Sequence, residues 1–432
     1  MHSVHKLNLG LLLFATGAGM SIEVYDFLIY GYLANILGKV LFPPTANPLV
    51  ATLQALLVFG VGFLMRPVGA AVFGHVGDKY GRKISFIITI ALMGVASLGI
   101  GLLPTYSQIG ILSTIFLVIF RLLQGLSLGG ELGAAATYII EHAPSSKRTL
   151  YGSLVQLAWP AGLLGAVLTL YAAVSIIGSD AMAVWGWRVP FFIAAGLVVI
   201  ALVLRFWLEE TPIYKDYAVK GEVATSPVVD VFRKAWKPFA IILIIQSGQA
   251  AVWYTGYIAT FTTFWLNIAK IPYITTLTMF ALIYFVVAFL YPLSGILGDR
   301  YGRRSLFTWP LTIAAITIVP LLYLFAMTKN LAVLSLSTIF ILTPAVITNA
   351  AWAAAYLELL PANIRISGFN IAYQLATAVF GGFLPYIITA LLQITNNVAI
   401  SASYIAALAA MSAIVSWKWL PETKNVDLRK TV

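Results

Sequence analysis

The chain has 432 residues, 61% of them hydrophobic and only 9% charged, against roughly 25% charged residues in an ordinary soluble domain. So few charges would leave long apolar stretches facing water, which excludes a soluble enzyme or nucleic-acid binder of this length and makes lipid the solvent for most of the chain. With no cysteine present, disulfides, thiolate metal sites and cysteine nucleophiles are excluded as well.

A spanning helix needs about 20 apolar residues. Runs of that kind fall near 9–38, 50–76, 84–103, 108–141, 150–177 and 187–208, and again near 237–268, 272–297, 306–327, 330–360, 367–393 and 399–420. The first run follows a single cation, Lys6, carries Glu23 and Asp26 inside it and lacks a small-residue cleavage site, so it reads as a retained span. Between the sixth and seventh runs, residues 209–237 hold 10 charged residues and form the one long polar stretch. The expected fold is an all-α membrane protein of twelve transmembrane helices in two pseudo-symmetric six-helix bundles, residues 1–208 and 237–432, joined by a cytoplasmic linker at 209–236.

An even number of spans puts both termini on one side. If that side is the cytoplasm, it receives 19 Lys and Arg, whereas the opposite side receives only Lys39, Arg188, Lys270 and Lys329. This is the positive-inside pattern. The net charge of +11 therefore reports topology in a plasma membrane, with both termini cytoplasmic, and calls for no nucleic-acid partner.

The two halves share a signature, GDKYGRK at 77–83 and GDRYGRR at 298–304, each directly after the second run of its half. An internal duplication produces this placement. The glycines permit a tight turn, and the arginine can fork toward a carboxylate on a neighbouring helix. Glu141 and Glu358 supply such carboxylates at the ends of the fourth spans, so two gating clusters are expected: Asp78 with Arg82 and Glu141, and Asp299 with Arg303 and Glu358. The plainer alternative is loop charge that only sets topology.

The first signature, with Gly74, Asp78, Lys79, Gly81, Arg82 and Lys83, resembles that of the major facilitator superfamily. More narrowly, the chain resembles the metabolite:proton symporters, whose members carry citrate, 2-oxoglutarate, shikimate, or proline and betaine. The resemblance is carried by IEVYDFLIYG at 22–31, the segment 59–83, RLLQGLSLGGELGAA at 121–135, WGWRVPFF at 185–192, LEETP at 208–212 and LPANIRISGFNIAYQ at 360–374. Val24 departs from the aromatic usual at that place. The resemblance implies a central cavity lined by the first and fourth spans of each half. Arg121, where the osmolyte carriers of the family tend to have Lys, leans toward a carboxylate substrate, while the loop around Lys39 is similar to that of the osmolyte carriers.

Five ionisable residues lie well inside the runs: Glu23, Asp26, Arg66, Arg121 and Glu131. Each costs at least about 2.5–3.5 kcal/mol on insertion scales for the Asp and Arg types, so each is a functional candidate. At about 1.5 Å per residue, Arg66 and Glu131 lie roughly 15–18 Å deep, Glu23 near 22 Å, and Asp26 and Arg121 at roughly 27–30 Å. Two layers are expected, Arg66 with Glu131 and Glu23, and Arg121 with Asp26. Glu23, Asp26 and Tyr30 share one helix face, as do Gln124 and Glu131. Three carboxylates against two arginines leave one surplus negative charge, which a proton would neutralise. Asp26, Glu131 and Glu23 are thus the expected proton-coupling groups, and Arg121, Gln124 and Tyr30 are expected at the substrate. A static ion-pair network is the alternative, and for Arg66, followed by Pro67, a structural role is expected.

The second half has no deep charge. Its first span carries Gln246, Gln249, Trp253 and Tyr257 on one face, and its fourth carries Asn349, Trp352 and Tyr356. Amides and aromatics on one stripe suit a small polar solute; interfacial anchoring is the other use of such aromatics. Asn370, Tyr373 and Gln374 could join this face. His75 and His142 stand without partners, so no metal is expected. The expected function is proton-coupled symport of a small organic acid by a monomer, with protons as the only coupling ion and no cofactor. A zwitterionic osmolyte such as proline or betaine is the alternative substrate, and a passive channel or non-transporting subunit the alternative class.

Overall fold

The computed structural model describes residues 9–45, 47–80, 82–130, 132, 136–137, 139–140, 143–206, 227–361, 364–426 and 428. Its long helices are α1 Leu9–Tyr32, α2 Pro48–Tyr80, α3 Arg82–Leu102, α4 Ile111–Gly129, α5 Ser145–Ile177, α6 Val189–Phe206, α7 Trp236–Ile268, α8 Tyr273–Tyr301, α9 Ser305–Met327, α10 Leu331–Glu358, α11 Ser367–Thr395 and α12 Val398–Trp419. Among the described residues, ten of the helices are long and apolar enough to cross a membrane, the set that leaves out α1 and α3. Short loops stop and restart them with side-chain caps: Asn330 Oδ1 accepts from the N–H groups of Ala332 and Val333 at 3.0 and 3.3 Å to start α10.

The surface is apolar, and polar and charged side chains are enclosed within a mainly apolar interior. Ile176, Ile316 and Leu336 expose 83%, 69% and 67% of their surface, while Arg121, Gln124 and Gln374 expose none. Lipid can solvate the first set, and only protein partners can satisfy the second.

Packing repeats with a shift of six helices. α1 packs on α5 and α7 on α11; α2 on α4 and α8 on α10; α3 on α6 and α9 on α12. The two sets meet where α5 lies against α8 and α2 against α11. Close crossing of α2 and α4 depends on glycine: a Cβ on Gly125 would fall 1.7 Å from the Gly62 carbonyl oxygen, and one on Gly129 1.9 Å from that of Arg66. Gly125 and Gly129 are four apart, the small-residue spacing that lets membrane helices approach. Because the obstacle is backbone, Gly125→Val is expected to cost more than the about 1–3 kcal/mol of ordinary overpacking. A fall in Tm and loss of the monodisperse carrier in detergent would show it; an unchanged Tm would contradict it.

From Thr255 to Ile268, α7 is wound as a π-helix, and a second π segment runs from Ala378 to Gly382 in α11. Such windings are rare and tend to mark functional places in helices. Here the first begins within the polar stripe of α7, between Trp253 and Tyr257, and the second lies just after Asn370, Tyr373 and Gln374 of α11.

Both ends of the interface between the two sets are closed. At the end bearing residues 298–304, Asp299 accepts from the backbone N–H of Thr149 and Leu150 at 2.9 and 3.0 Å, placing its charge on the positive N-terminus of α5. At the opposite end, the Tyr32 and Tyr284 hydroxyls hydrogen-bond at 2.6 Å, and Tyr273 donates to the Tyr32 carbonyl at 3.1 Å.

Candidate functional site

Between these two ends lie two buried polar clusters. In the first, Asp26 of α1 accepts hydrogen bonds from Ser97 Oγ of α3 and from Gln124 Nε2 of α4, the latter at 3.1 Å. Gln124 Oε1 in turn accepts from Arg121 Nη1 at 2.8 Å, and that nitrogen also donates to the Phe27 carbonyl at 3.2 Å. Gln124 therefore couples the acid to the base; the two expected members of one layer communicate through an amide.

Aromatic rings surround the Arg121 guanidinium, with its central carbon 4.2 Å from the Phe27 ring centre, 4.5 Å from Tyr30 and 5.4 Å from Phe59. Its Nε and Nη2 have no hydrogen-bond partner among the described residues. Those two N–H groups form one edge of the guanidinium plane, the fork that holds a carboxylate with two parallel bonds. A Cβ on Gly62 would stand 3.3 Å from Nη2 and 3.4 Å from Nε, so glycine at this position keeps the edge clear. The Tyr30 hydroxyl is used elsewhere, donating to the Ala55 carbonyl at 3.1 Å.

Arg66 is buried with its guanidinium 5.0 Å from the Phe63 ring centre, and its Nε and Nη1 have no partner among the described residues. Glu23 is buried and engaged. Glu131 and Glu141, and the side chains of Asp78 and Arg82, lie outside the described residues.

The second cluster belongs mainly to α7, α10 and α11. The Tyr356 hydroxyl donates to Gln246 Oε1 at 3.4 Å, and Gln246 Nε2 donates to Gln249 Oε1 at 2.7 Å and to Thr377 Oγ1 at 3.2 Å. This relay leaves Gln249 Nε2 without a partner among the described residues, together with Trp253 Nε1 and Asn349 Oδ1. Gln246, Gln249, Trp253 and Asn349 line a cavity of about 10 Å³ with Trp159, Ala250, Tyr254, Tyr373 and Thr377, room for about one water. Trp352 stacks on Phe369 with ring centres 5.0 Å apart, and the Trp253 and Tyr257 rings stack at 4.1 Å. Asn370 Oδ1 and both amide atoms of Gln374 also lack partners among the described residues.

Reasoning from the sequence missed Trp159, Tyr254 and Thr377. Thr377 was within reach, since it continues the Tyr373 and Gln374 face by one turn. Trp159 follows Gln156 by three residues on one face of α5, but the turns after it are apolar and do not extend that face as a polar stripe.

At the closed end near 298–304, Arg303 holds Glu358 with two bonds, Nε to Oε2 and Nη2 to Oε1, both at 3.1 Å, and lies 3.6 Å from Asp299. Arg148 of α5 reaches the same carboxylate at 3.4 Å, and Thr423 Oγ1 donates to it at 2.7 Å. The segment after α12 adds Glu422, whose carboxylate accepts from the backbone N–H of Arg303 at 2.9 Å. Arg148, Glu422 and Thr423 were not anticipated from the signature.

The family described as Sugar (and other) transporter matches residues 11–229. The inner membrane metabolite transport protein YhjE of Escherichia coli K12 is 33% identical over 410 residues, 93% of this chain and 92% of that protein. A citrate-proton symporter of Klebsiella pneumoniae is 31% identical, covering 95% of this chain and 92% of its own. The proline/betaine transporter of Escherichia coli K12 is 32% identical, covering 96% and 84% respectively. Among solved structures, the major facilitator superfamily proton:xylose symporter XylE bound to 6-bromo-6-deoxy-D-glucose has the same fold, with a TM-score of 0.77 at 17% identity over 98% of each chain.

Proposed function

Because this chain belongs to the major facilitator superfamily, among the metabolite:proton symporters, we propose that it carries a small organic acid across the plasma membrane together with a proton. The observation that carries this reading is the buried series Asp26, Gln124, Arg121, which ends on an unpartnered guanidinium edge. An ionised Asp26 holds Gln124 through its Nε2, and Gln124 holds Arg121 through its Oε1. Protonation of Asp26 removes the anion that fixes this chain of bonds and frees Arg121 to turn its fork to the carboxylate of a substrate. Phe59 packs both on Phe27 and on Tyr254, a lining residue of the cavity, so a turn of these rings opens the way from cavity to fork. Glu23 and Glu131 remain further coupling candidates in the same half, and Arg66 a structural one.

In this reading α1 and α3 are spans too, giving twelve in two bundles, 1–208 and 237–432, with the linker at 209–236 and both termini cytoplasmic. A monomer rocks one bundle against the other around the midplane site. The clusters of Asp299, Arg303 and Glu358, and of Asp78, Arg82 and Glu141, act as cytoplasmic gates.

A zwitterionic osmolyte is the second reading, favoured by the aromatic lining of Trp159, Trp253, Tyr254 and Tyr373, since an ammonium group is attracted to ring faces. Uptake into proteoliposomes with an imposed pH gradient, acid outside, separates the readings. Saturable accumulation of carboxylates above the outside concentration is expected; accumulation of proline or betaine alone would overturn the organic-acid reading, and equilibration without accumulation would indicate a channel.

A further inference from the structure

The cavity is rich in unused donors and carries no charge. Trp159 and Trp253 are 5% and 3% exposed, and their rings meet edge to face at 5.2 Å. Neither indole N–H makes a hydrogen bond of good geometry among the described residues, the nearest acceptor for Trp253 being the Tyr291 hydroxyl beside it. An indole nitrogen is a donor and nothing else, so this requirement does not depend on how an amide is oriented. Gln249 adds a third donor: its Oε1 is taken by Gln246, which leaves Nε2. Asn349 Oδ1 is the lining acceptor that has no partner at all among the described residues.

We infer that Trp159, Trp253 and Gln249 form a subsite that donates hydrogen bonds to hydroxyl or carbonyl oxygens on the body of the substrate, making this carrier selective for hydroxylated carboxylates over their deoxy counterparts and over quaternary ammonium zwitterions. The inference rests on the organic-acid reading and deepens it. Three buried N–H groups without well-formed hydrogen bonds are costly when a ligand offers only methyl or methylene groups. Sites built to hydrogen-bond a substrate oxygen reject the analogue that lacks it far more strongly than apolar pockets reject an extra methylene. A trimethylammonium group offers no lone pair to any of the three, although it could lie against their rings. Trp159 comes from α5 and Trp253 from α7, so a substrate oxygen shared by both indoles also ties the two helix sets together on binding.

The test uses the full chain in proteoliposomes with an acid-outside gradient and three matched pairs: glycerate and propionate, malate and succinate, quinate and cyclohexanecarboxylate, with glycine betaine as a seventh solute. For the best-transported pair, the hydroxylated member is expected to have a KM roughly tenfold or more below its deoxy partner. In Trp159→Phe and Trp253→Phe, which keep an aromatic ring and remove the N–H, that preference should shrink by about tenfold, the KM of the hydroxylated member rising relative to that of its deoxy partner. Equal loss for both members would show a purely structural role and overturn the subsite. So would an undiminished preference in both variants, or glycine betaine as the best substrate. If no solute is accumulated, the symport reading itself fails; if acids are accumulated without regard to hydroxyls, only the subsite does.

Discussion

Replacing Asp26 by Asn should abolish uphill transport while leaving downhill exchange of substrate within a few-fold of normal. A one-proton cycle under a gradient of two pH units, with the membrane potential clamped at zero, supports accumulation of about 100-fold, because each unit is worth 1.36 kcal/mol, or a factor of ten. The Asn side chain fits the space of the carboxylate and keeps one acceptor oxygen for Ser97 or Gln124, which hold the two different oxygens of Asp26, but it carries no exchangeable charge. The accumulation ratio of the variant is therefore expected to fall to about one. Radiolabelled uptake and counterflow measured on the same vesicles check both halves of the expectation. An Asp26→Asn carrier that still concentrates its substrate at the normal ratio would move the coupling site elsewhere, with Glu23 and Glu131 the next candidates.

The second large effect concerns the closed end near residues 298–304. Glu358 is wholly enclosed and carries the contacts of Arg303, Arg148 and Thr423 at once. Of its partners, Arg148 belongs to α5 and Arg303 begins the turn into α9, so a single carboxylate ties the two helix sets. In Glu358→Gln, Arg148 and Arg303 lose this anion, Arg303 keeping Asp299 at 3.6 Å, and breaking a buried pair on one side costs up to about 3–5 kcal/mol. The bonds from Arg303 lie within one helix set and survive opening, so only the Arg148 contact distinguishes the closed arrangement, and its loss, worth about 1.5 kcal/mol for a hydrogen bond to a charged group, should move the balance toward an open cytoplasmic end by roughly tenfold.

A chain without cysteine makes the movement easy to read. Ser153 is buried on α5 where Gly295 of α8 packs against it. Maleimide labelling of a single Ser153→Cys from the cytoplasmic side should be slow in the parent and faster by a comparable factor with Glu358→Gln. Adding Tyr32→Phe, which deletes the hydroxyl pair with Tyr284, should reverse part of the shift by weakening the opposite closure by about 1 kcal/mol. Unchanged labelling in Glu358→Gln would mean that the cluster sets topology and does not gate.

Much of the fold was legible because a membrane segment announces itself by composition: runs such as 306–327 and 399–420 reappear as α9 and α12 within a residue or two. The site was legible where polar residues repeat at helical spacing. Gln246, Gln249 and Trp253 follow that period and do line one cavity. It was not legible where a single residue does the work. Ser97, the second partner of Asp26, is one hydroxyl in an apolar helix, and Trp159 is one indole in another. Tyr254 was hidden for a different reason: it follows Gln246 and Ala250 along one face of the helix, and the alanine between them leaves that row without a polar mark. The tail was hidden too, since nothing in the spacing of Glu422 and Thr423 tells that they fold back on Arg303 and Glu358.

Movement of protons with the substrate, in the absence of any imposed gradient, tests the central claim most directly. Vesicles containing the carrier are suspended in weakly buffered medium at equal pH on both sides, with the potential clamped, and the substrate acid is added outside as its salt. If Asp26 couples substrate to proton, the medium becomes alkaline as substrate enters, in fixed proportion to the uptake, and Asp26→Asn shows exchange with no such change. Substrate entry at the normal rate with no movement of protons would contradict the account.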